Sequence, residues 1–177
     1  MTRVAFAHTA ALTTVELDAV RTLLDHAFLH PLSEEDYEHS LGGMHALVWN
    51  GSDLLAHGAV VLRRLLHNGR ALRTGYVEGV AVRADRRRHG YGAAVMATLE
   101  PLIRGGYELG ALGATWEAEP FYRNRGWQQW TGTTSVVTPG GVERTREDDG
   151  RIYVLPVSAD LEPHQDLACD WRNGEVW

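Results

Sequence analysis

The sequence from Thr74 to Ala94 combines a carboxylate with residue types that bind anions. β-Branched and aromatic residues predict a strand here, and Glu78 and Gly79 interrupt its apolar run. The motif Arg87-x-x-Gly90-x-Gly92 follows, and helix-forming residues come after it. Because exposed backbone N–H groups and a helix N-terminus both favour negative charge, we predict an anion cradle at this turn.

A pyrophosphate is the natural guest of this turn. Gly90 and Gly92 let a phosphate approach the backbone closely, and the arginines add charge-assisted hydrogen bonds. A dinucleotide-binding turn would place its first glycine at the strand end and use a third glycine, where this chain has Val95. A basic, solvated turn before a helix is therefore the alternative.

Length and composition favour one globular domain over residues 1–177 and exclude several chemistries. All 17 basic residues are arginine, so lysine-based phosphate loops and Schiff-base catalysis are excluded. The net charge of −6 makes nucleic acid and anionic membranes poor partners and suits a cationic substrate. Cys169 is the only cysteine, and we see neither a signal peptide nor a membrane span, so we expect a cytoplasmic protein.

Metal chemistry is not expected. His26 and His30 could share a helix face, but no acid or cysteine completes a zinc ligand set. We expect the nine histidines at the surface or at helix ends.

The predicted elements place the arginine turn after an antiparallel meander. A capping box at Thr13 begins the first helix, which Pro31 ends, and Ser33 caps a short second helix. Asn68-Gly69 predicts a hairpin. The predicted helices are 14–28, a short one after Ser33, 92–104 and 118–125, and the predicted strands are 44–49, 54–62, 71–82, 107–112, 127–130, 135–137 and 152–157.

Other parts of the chain carry less regular expectations. We expect Pro101 to kink or shorten the third helix, Gly105-Gly106 to end it, and a parallel crossover to the strand after it. Residues 143–150 are expected to be a loop. The tail, 160–177, contains two tryptophans, and we expect it to pack down because exposed indoles are costly.

A second motif reads Ala118-x-x-Phe121-Tyr122-x-x-x-Gly126-Trp127. Its plain interpretation is a short helix with core aromatics and a glycine stop. That interpretation leaves the Tyr122 hydroxyl in need of a partner if it is buried.

Together the two motifs resemble the GCN5-related N-acetyltransferase superfamily. The resemblance implies an α/β fold with a mixed sheet, an antiparallel meander, a phosphate-turn helix and a parallel crossover strand. It implies that Tyr122 donates a proton to the departing thiolate, and that backbone groups of the preceding strand hold the pantetheine arm and the thioester carbonyl. The residues implied for binding acetyl-CoA are Val80, Ala81, Val82, Arg87, Arg88, His89, Gly90, Tyr91 and Gly92.

Within that superfamily, the chain resembles the aminoglycoside 2′-N-acetyltransferases. The likeness rests on residues 42–47, residues 75–85 and the ending Cys169-Asp170-Trp171-Arg172 with Trp177. It implies a homodimer, and a tail folded over the active site with acidic groups and the C-terminal carboxylate holding the ammonium groups of the drug. The implied substrate contacts are Asp36, Glu78, Gly79, Asp148, Glu175 and Trp177.

Glu78 is the best candidate for the general base, acting directly or through a water. A protonated amine is no nucleophile, so the site must take its proton and stabilise the oxyanion. Glu78 lies two residues before Val80, whose N–H is a candidate donor to the thioester oxygen. A carboxylate on a solvated sheet face is the alternative.

We therefore predict direct attack of a 2′-amine on acetyl-CoA, since no positioned nucleophile is evident. Asp148 and Asp149 are also explained as turn acids before Gly150. The rival functions are acetylation of another amine, such as a polyamine or a cell-wall aminosugar, and a non-catalytic CoA-binding sensor.

Overall fold

The computed structural model describes residues 1–28 and 32–177. The predicted helix end at Pro31 lies outside the described residues. The chain comprises two compact units, one of Met1–Val61 with Val77–Leu102 and the other of Leu62–Tyr76 with Ile103–Trp177. The prediction of a single domain stays a prediction.

Ten strands and four α-helices make up the regular structure of the described residues. The helices are α1 (Thr14–Ala27), α2 (Glu34–Glu38), α3 (Tyr91–Gly106) and α4 (Glu119–Arg123). The strands are β1 (Thr2–His8), β2 (Met44–Asn50), β3 (Asp53–His67), β4 (Arg70–Val82), β5 (Leu109–Gly113), β6 (Gln128–Gln129), β7 (Thr134–Thr138), β8 (Gly141–Arg144), β9 (Ile152–Pro156) and β10 (Leu167–Asp170). No helix among the described residues is long and apolar enough to cross a membrane.

The first unit is built on an antiparallel arrangement of β1, β2 and β3. The predicted capping box is present, because the Thr13 side chain accepts from the Glu16 N–H while the Glu16 carboxylate accepts from the Thr13 N–H. Val20 and Leu24 of α1 are fully buried in a cluster with residues of β2, β3 and β4. Capping thus begins α1, and burial of its apolar face holds it in place.

The helix that follows the arginine turn lies close against β3. A Cβ added at Gly58 would come within 2.6 Å of Val95 Cγ1. A glycine at this position therefore lets the first part of α3 approach the sheet. Pro101 does not shorten α3, and the helix ends at Gly106, so the expected stop at Gly105-Gly106 is confirmed.

The second unit carries the parallel crossover. β5 pairs parallel with β4, as predicted, and β9 pairs antiparallel with β5. The Asn68-Gly69 hairpin between β3 and β4 is confirmed, with positive φ at both residues. β10 pairs antiparallel with β3 and parallel with β7.

Three strands, β1, β8 and β10, have no counterpart among the predicted elements. β1 covers the apolar run near the N-terminus, and β10 lies in a tail with little periodicity. β8 replaces the first part of the predicted loop over 143–150, and a 3-10 turn, Arg146–Asp148, follows it. β8 and β10 have only four residues each, so their pairing partners rather than their own patterns define them.

Candidate active site

The arginine turn ends where α3 begins. Residues 84–90 are largely exposed, and Arg88 and Gly90 have positive φ angles of 63° and 81°. The Ala94 N–H donates to the Gly90 carbonyl at 3.0 Å in the first turn of α3, which also contains Gly92. The N–H groups before Ala94 precede the helical ladder, so this turn can offer them to an anion.

Side chains of the turn also order one another. The His89 Nδ1–H donates to the Arg87 carbonyl at 2.8 Å, and its ring stacks on Tyr91 with centroids 6.1 Å apart. Arg87 and Arg88 are exposed beside this stack. The geometry fits the predicted cradle, with an ordered backbone and two accessible guanidinium groups.

The strand that precedes the turn carries the candidate base. Glu78, Gly79 and Val80 are half-buried, and Ala81 is buried. Gly79 has φ +57°, a left-handed conformation that glycine adopts without a Cβ penalty. The parallel register of β4 with β5 covers Thr74 to Tyr76 and ends before Glu78.

A buried hydrogen-bonded chain of two histidines reaches Gly79 from inside the first unit. Both imidazoles are fully buried. The His57 Nδ1 lies 2.8 Å from the Gly79 carbonyl oxygen, its Nε2 lies 2.9 Å from His45 Nδ1, and His45 Nε2 lies 2.7 Å from Thr9 Oγ1. Burial lowers the pKa of His45 to about 4 and that of His57 to about 3.

The expectation of surface or helix-end histidines is wrong for this pair. The sequence did contain one indication of their burial, because His45 and His57 each interrupt an apolar strand run where solvent-facing residues are scarce. Their partners are 12 to 36 residues away in sequence, so the chain itself was not foreseeable.

Tyr122 is a buried residue of α4, with 6% of its surface exposed. Its ring packs edge-on against Phe121 and Trp127, with centroids 5.1 and 6.1 Å away. Burial raises the pKa of Tyr122 to about 12, so its hydroxyl keeps its proton at neutral pH. The plain interpretation as a core aromatic holds, and it is compatible with a role as a proton donor.

Carboxylates gather around the 3-10 turn of the second unit. Burial, followed by the charges of Glu147 and Glu175, raises the pKa of Asp148 to about 6. The adjacent Asp149 has a lowered pKa because, against the effect of burial, it accepts hydrogen bonds from Thr134 and Arg144. Two neighbouring aspartates thus have opposite environments, and Asp149 has the hydrogen bonds of a structural turn acid.

The C-terminal tryptophan is anchored next to this cluster. Trp177 is 9% exposed, and its Nε1–H donates to Thr145 Oγ1 at 2.8 Å. The Thr145 hydroxyl donates to Thr134 Oγ1 at 3.0 Å, and the Thr134 hydroxyl lies 2.9 Å from Asp149 Oδ1. This chain of hydroxyls positions the last residue within the second unit.

The pairing of β10 and an ion pair with the buried Arg63 hold other parts of the tail. Arg63, 4% exposed, donates from Nε to Asp170 Oδ1 at 2.7 Å and from Nη2 to the Asp170 carbonyl at 2.8 Å. The Cys169 thiol is buried and donates to the Val176 carbonyl at 3.3 Å. Trp171 is 52% exposed, so the expectation that both tail tryptophans are buried is wrong for it.

The predicted site residues fall into both units. Glu78, the cradle and Asp36 belong to the first unit, and Tyr122, Asp148, Glu175 and Trp177 belong to the second. Asp36 lies in the first turn of α2, where its N–H donates to Ser33 Oγ at 3.0 Å and its carboxylate lies 3.8 Å from His39 Nδ1.

No metal-binding group appears in the part of the chain that the structure describes. No cluster of three or more His, Cys, Asp or Glu side chains there is arranged to hold a metal ion. His30 lies outside the described residues, so the predicted pairing of His26 with His30 cannot be placed.

Comparisons with known proteins agree on one family. A family profile described as Acetyltransferase (GNAT) domain matches residues 8–130. An aminoglycoside 2′-N-acetyltransferase from Mycolicibacterium fortuitum is 47% identical over 174 residues, which cover 96% of this chain and 89% of that protein.

Solved structures show the same fold at low identity. The ribosomal-protein-S18-alanine N-acetyltransferase from Escherichia coli superposes with a TM-score of 0.63 at 20% identity, covering 92% of this chain and 97% of that chain. ElaA from Escherichia coli superposes with a TM-score of 0.62 at 17% identity, covering 88% of this chain and 99% of that chain. The predicted α/β fold with a mixed sheet, a phosphate-turn helix and a parallel crossover strand is confirmed.

Proposed function

We propose that this chain, which belongs to the GNAT family of acetyltransferases, transfers acetyl from acetyl-CoA to the 2′-amine of an aminoglycoside. The carboxylate cluster around Asp148 supports a polycationic acceptor, because burial and neighbouring negative charges make ionisation of the Asp148 carboxyl costly. The positive charge of a bound ammonium group would offset that cost. We place the acetylated amine at the 2′ position because the Mycolicibacterium fortuitum relative is an aminoglycoside 2′-N-acetyltransferase.

GNAT acetyltransferases use acetyl-CoA, and the arginine turn fits its pyrophosphate. The support for this is the left-handed backbone at Arg88 and Gly90, the exposed guanidinium of Arg87 and the N-terminus of α3, which all favour an anion. A Cβ added at Gly90 would meet nothing within 4 Å, so conformation rather than crowding requires a glycine there. Val80, Ala81 and Val82 would hold the pantetheine arm through their backbone groups.

Acetyl-CoA supplies an activated thioester when it binds. Glu78 takes a proton from the ammonium group, directly or through a water, so that the amine nitrogen can form a bond to the carbonyl carbon. The Val80 N–H stabilises the oxyanion. As the carbon–sulfur bond breaks, Tyr122 gives its proton to the departing thiolate, and the nitrogen releases its second proton, which restores the Tyr122 hydroxyl by way of solvent. The retention of the Tyr122 proton at neutral pH suits the role.

Direct attack is favoured over an acetyl-cysteine intermediate. Burial raises the pKa of Cys169 to about 11, although the neighbouring Arg63 lowers it in part. The thiol is also engaged with the Val176 carbonyl. A protonated, enclosed thiol is a poor nucleophile.

The remaining substrate contacts would come from Asp36, Gly79, Asp148, Glu175 and Trp177. The acidic side chains would bind ammonium groups as charge-assisted acceptors. A homodimer and a cytoplasmic location belong to the same proposal and stay predictions.

The test is release of free CoA from acetyl-CoA with a panel of amines. Tobramycin, which has a 2′-amine, should be turned over, and amikacin, which has a 2′-hydroxyl, should not. Spermidine and glucosamine serve as the other acceptors of the panel. Turnover of spermidine or glucosamine without turnover of any 2′-amino drug would overturn the proposal.

A further inference from the structure

With both imidazoles neutral, as their burial and lowered pKa values require near pH 7, the buried chain from Thr9 to Gly79 has one consistent arrangement of protons. The Gly79 carbonyl can only accept, so His57 carries its proton on Nδ1, and its Nε2 must accept. His45 then donates from Nδ1 to His57 and accepts at Nε2 from the Thr9 hydroxyl. The Thr9 oxygen in turn accepts from the Gly42 N–H at 2.8 Å.

This arrangement satisfies both neutral imidazoles and gives the chain a direction. Every ring nitrogen has a partner, and two fully buried histidines are thereby satisfied without charge. The chain ends on a carbonyl, which accepts a hydrogen bond but has no proton to pass on. A proton relay to Glu78 is therefore not what the chain provides.

What the chain does provide is a fixed peptide group between Gly79 and Val80. In a planar trans peptide, the carbonyl of one residue and the N–H of the next point in opposite directions. His57 lies on β3 and holds the Gly79 carbonyl from that side. The Val80 N–H consequently points away from the His57 imidazole.

The left-handed conformation of Gly79 makes this anchor useful. At φ +57° the backbone leaves the ordinary strand geometry, and a glycine at that point samples many alternatives. A Cβ added at Gly79 would lie 3.4 Å from His57 Cε1, so the imidazole also packs against this residue. A hydrogen bond to the carbonyl both restricts the peptide and strengthens its N–H as a donor.

We propose that His57, supported by His45 and Thr9, is a positioning residue that fixes the Gly79–Val80 peptide so that the Val80 N–H can stabilise the thioester oxyanion. The assignment of Val80 as that donor rests on the proposed function. His57 touches neither the acceptor nor the thioester and acts through the peptide. Its effect should therefore be larger in the transition state than in the ground state.

Two variants of His57 separate the hydrogen bond from the packing. His57→Leu removes the donor to Gly79, whereas His57→Asn keeps an amide N–H close to the position of Nδ1. Removal of an oxyanion-hole donor lowers kcat about 100- to 1000-fold, so misplacing one should lower kcat about 10- to 100-fold. We expect that loss in His57→Leu, KM values for acetyl-CoA and tobramycin within about 3-fold of wild type, and recovery of most of kcat in His57→Asn.

His67 offers a matched control in the second unit. It is also buried, and its Nδ1 donates to the Asp166 carbonyl at 3.0 Å. His67→Leu should lower stability without lowering kcat of the folded enzyme. Equal losses of kcat in His57→Leu and His67→Leu, or unchanged kcat in His57→Leu, would overturn the proposal.

An NMR measurement tests the positioning role of His57 without any turnover assay, and it does not depend on one variant alone. In protein labelled with ¹⁵N-histidine and ¹⁵N-valine, His57 and His45 should show the Nδ1–H tautomer. The Val80 amide resonance should move in Thr9→Val, which breaks the far end of the chain, and should move further in His57→Leu. The Nε2–H tautomer at His57, or an unmoved Val80 resonance in both variants, would refute the assignment even if no aminoglycoside is acetylated.

Discussion

Replacing Asp148 by asparagine should stabilise the free enzyme and weaken its use of the drug. The carboxyl pKa is raised from 3.8 to about 6, so the folded protein holds this proton more tightly than the unfolded chain does. Above pH 6 the folded state therefore carries an unfavourable charge. Because one pKa unit is equivalent to about 1.4 kcal/mol, the raised pKa amounts to ~3 kcal/mol, which partial solvation reduces to roughly 1–2 kcal/mol.

The pH dependence of that stabilisation follows from its sign. Between pH 7 and 8, Asp148→Asn should raise the free energy of unfolding by about 1–2 kcal/mol, which is roughly 2–8 °C in Tm for a chain of this size. As pH falls from 6 towards 4, the wild-type carboxyl becomes neutral in the fold, and the advantage of the variant should shrink, vanishing only below the ordinary carboxyl pKa of 3.8. Thermal unfolding at about pH 7.5 and about pH 4.5 compares the full advantage with the much smaller one.

The same substitution should lower kcat/KM for tobramycin about 10- to 100-fold, since a charge-assisted hydrogen bond is worth about 1.5–3 kcal/mol. Wild-type kcat/KM should also fall below about pH 6 through loss of the carboxylate, and the variant should lack that component. KM for acetyl-CoA should not change.

Asp149→Asn is the matched control, one residue further along the chain. Asp149 accepts from the Thr134 N–H at 2.9 Å and from Arg144 Nη2 at 2.7 Å, so its loss should destabilise the protein near neutral pH. The two neighbouring substitutions should thus move Tm in opposite directions. A lower Tm in Asp148→Asn near neutral pH, or an unchanged kcat/KM for tobramycin, would refute the cation-site reasoning.

Four further predictions concern other ionisable groups. His45 and His57 have pKa values of about 4 and about 3 in the fold, so as pH falls the unfolded chain takes up their protons before the folded protein does. The free energy of unfolding should therefore fall below pH 6.5, by ~2 kcal/mol per histidine at about pH 5. In His57→Asn, the free energy of unfolding should fall less steeply with decreasing pH. Glu78→Gln should lower kcat and remove the acidic limb of the pH–rate profile, and an unchanged limb would mean another base. Tyr122→Phe should lower kcat about 10- to 100-fold with little change in KM, whereas a pure packing role would leave kcat intact. Cys169 should resist alkylation at about pH 8 in the native protein and react after unfolding, as a thiol with a pKa of about 11 requires.

Local features of this protein were determined by the sequence alone. The Thr13–Glu16 capping box, the Ser33 cap and the Asn68-Gly69 hairpin each depend on residues close to one another in the chain. The arginine turn belongs to the same class, because a glycine with positive φ before a helix is a local requirement. Such elements could be predicted because their hydrogen-bond partners lie within a few residues in the sequence.

Tertiary structure decided the features whose partners are distant in the chain. β10 exists because β3 and β7 pair with it, and Trp177 is buried while Trp171 is exposed, although both belong to the same tail. The third helix is not shortened at Pro101, where a local rule predicted a kink or a shorter helix. In each case long-range pairing and burial outweighed the local preference of the sequence.

The candidate site shows the same division. The resemblance of the motifs to a known family nominated Glu78, Tyr122 and Asp148, since residue type alone left a sheet-face carboxylate, a core aromatic and a turn acid as alternatives. Their environments were not predictable, because the pKa of Asp148 depends on desolvation and on Glu175, which lies 27 residues further on (175 − 148). The same holds for His57, whose ordinary imidazole becomes an anchor for the Gly79 carbonyl only when β3 and β4 lie side by side.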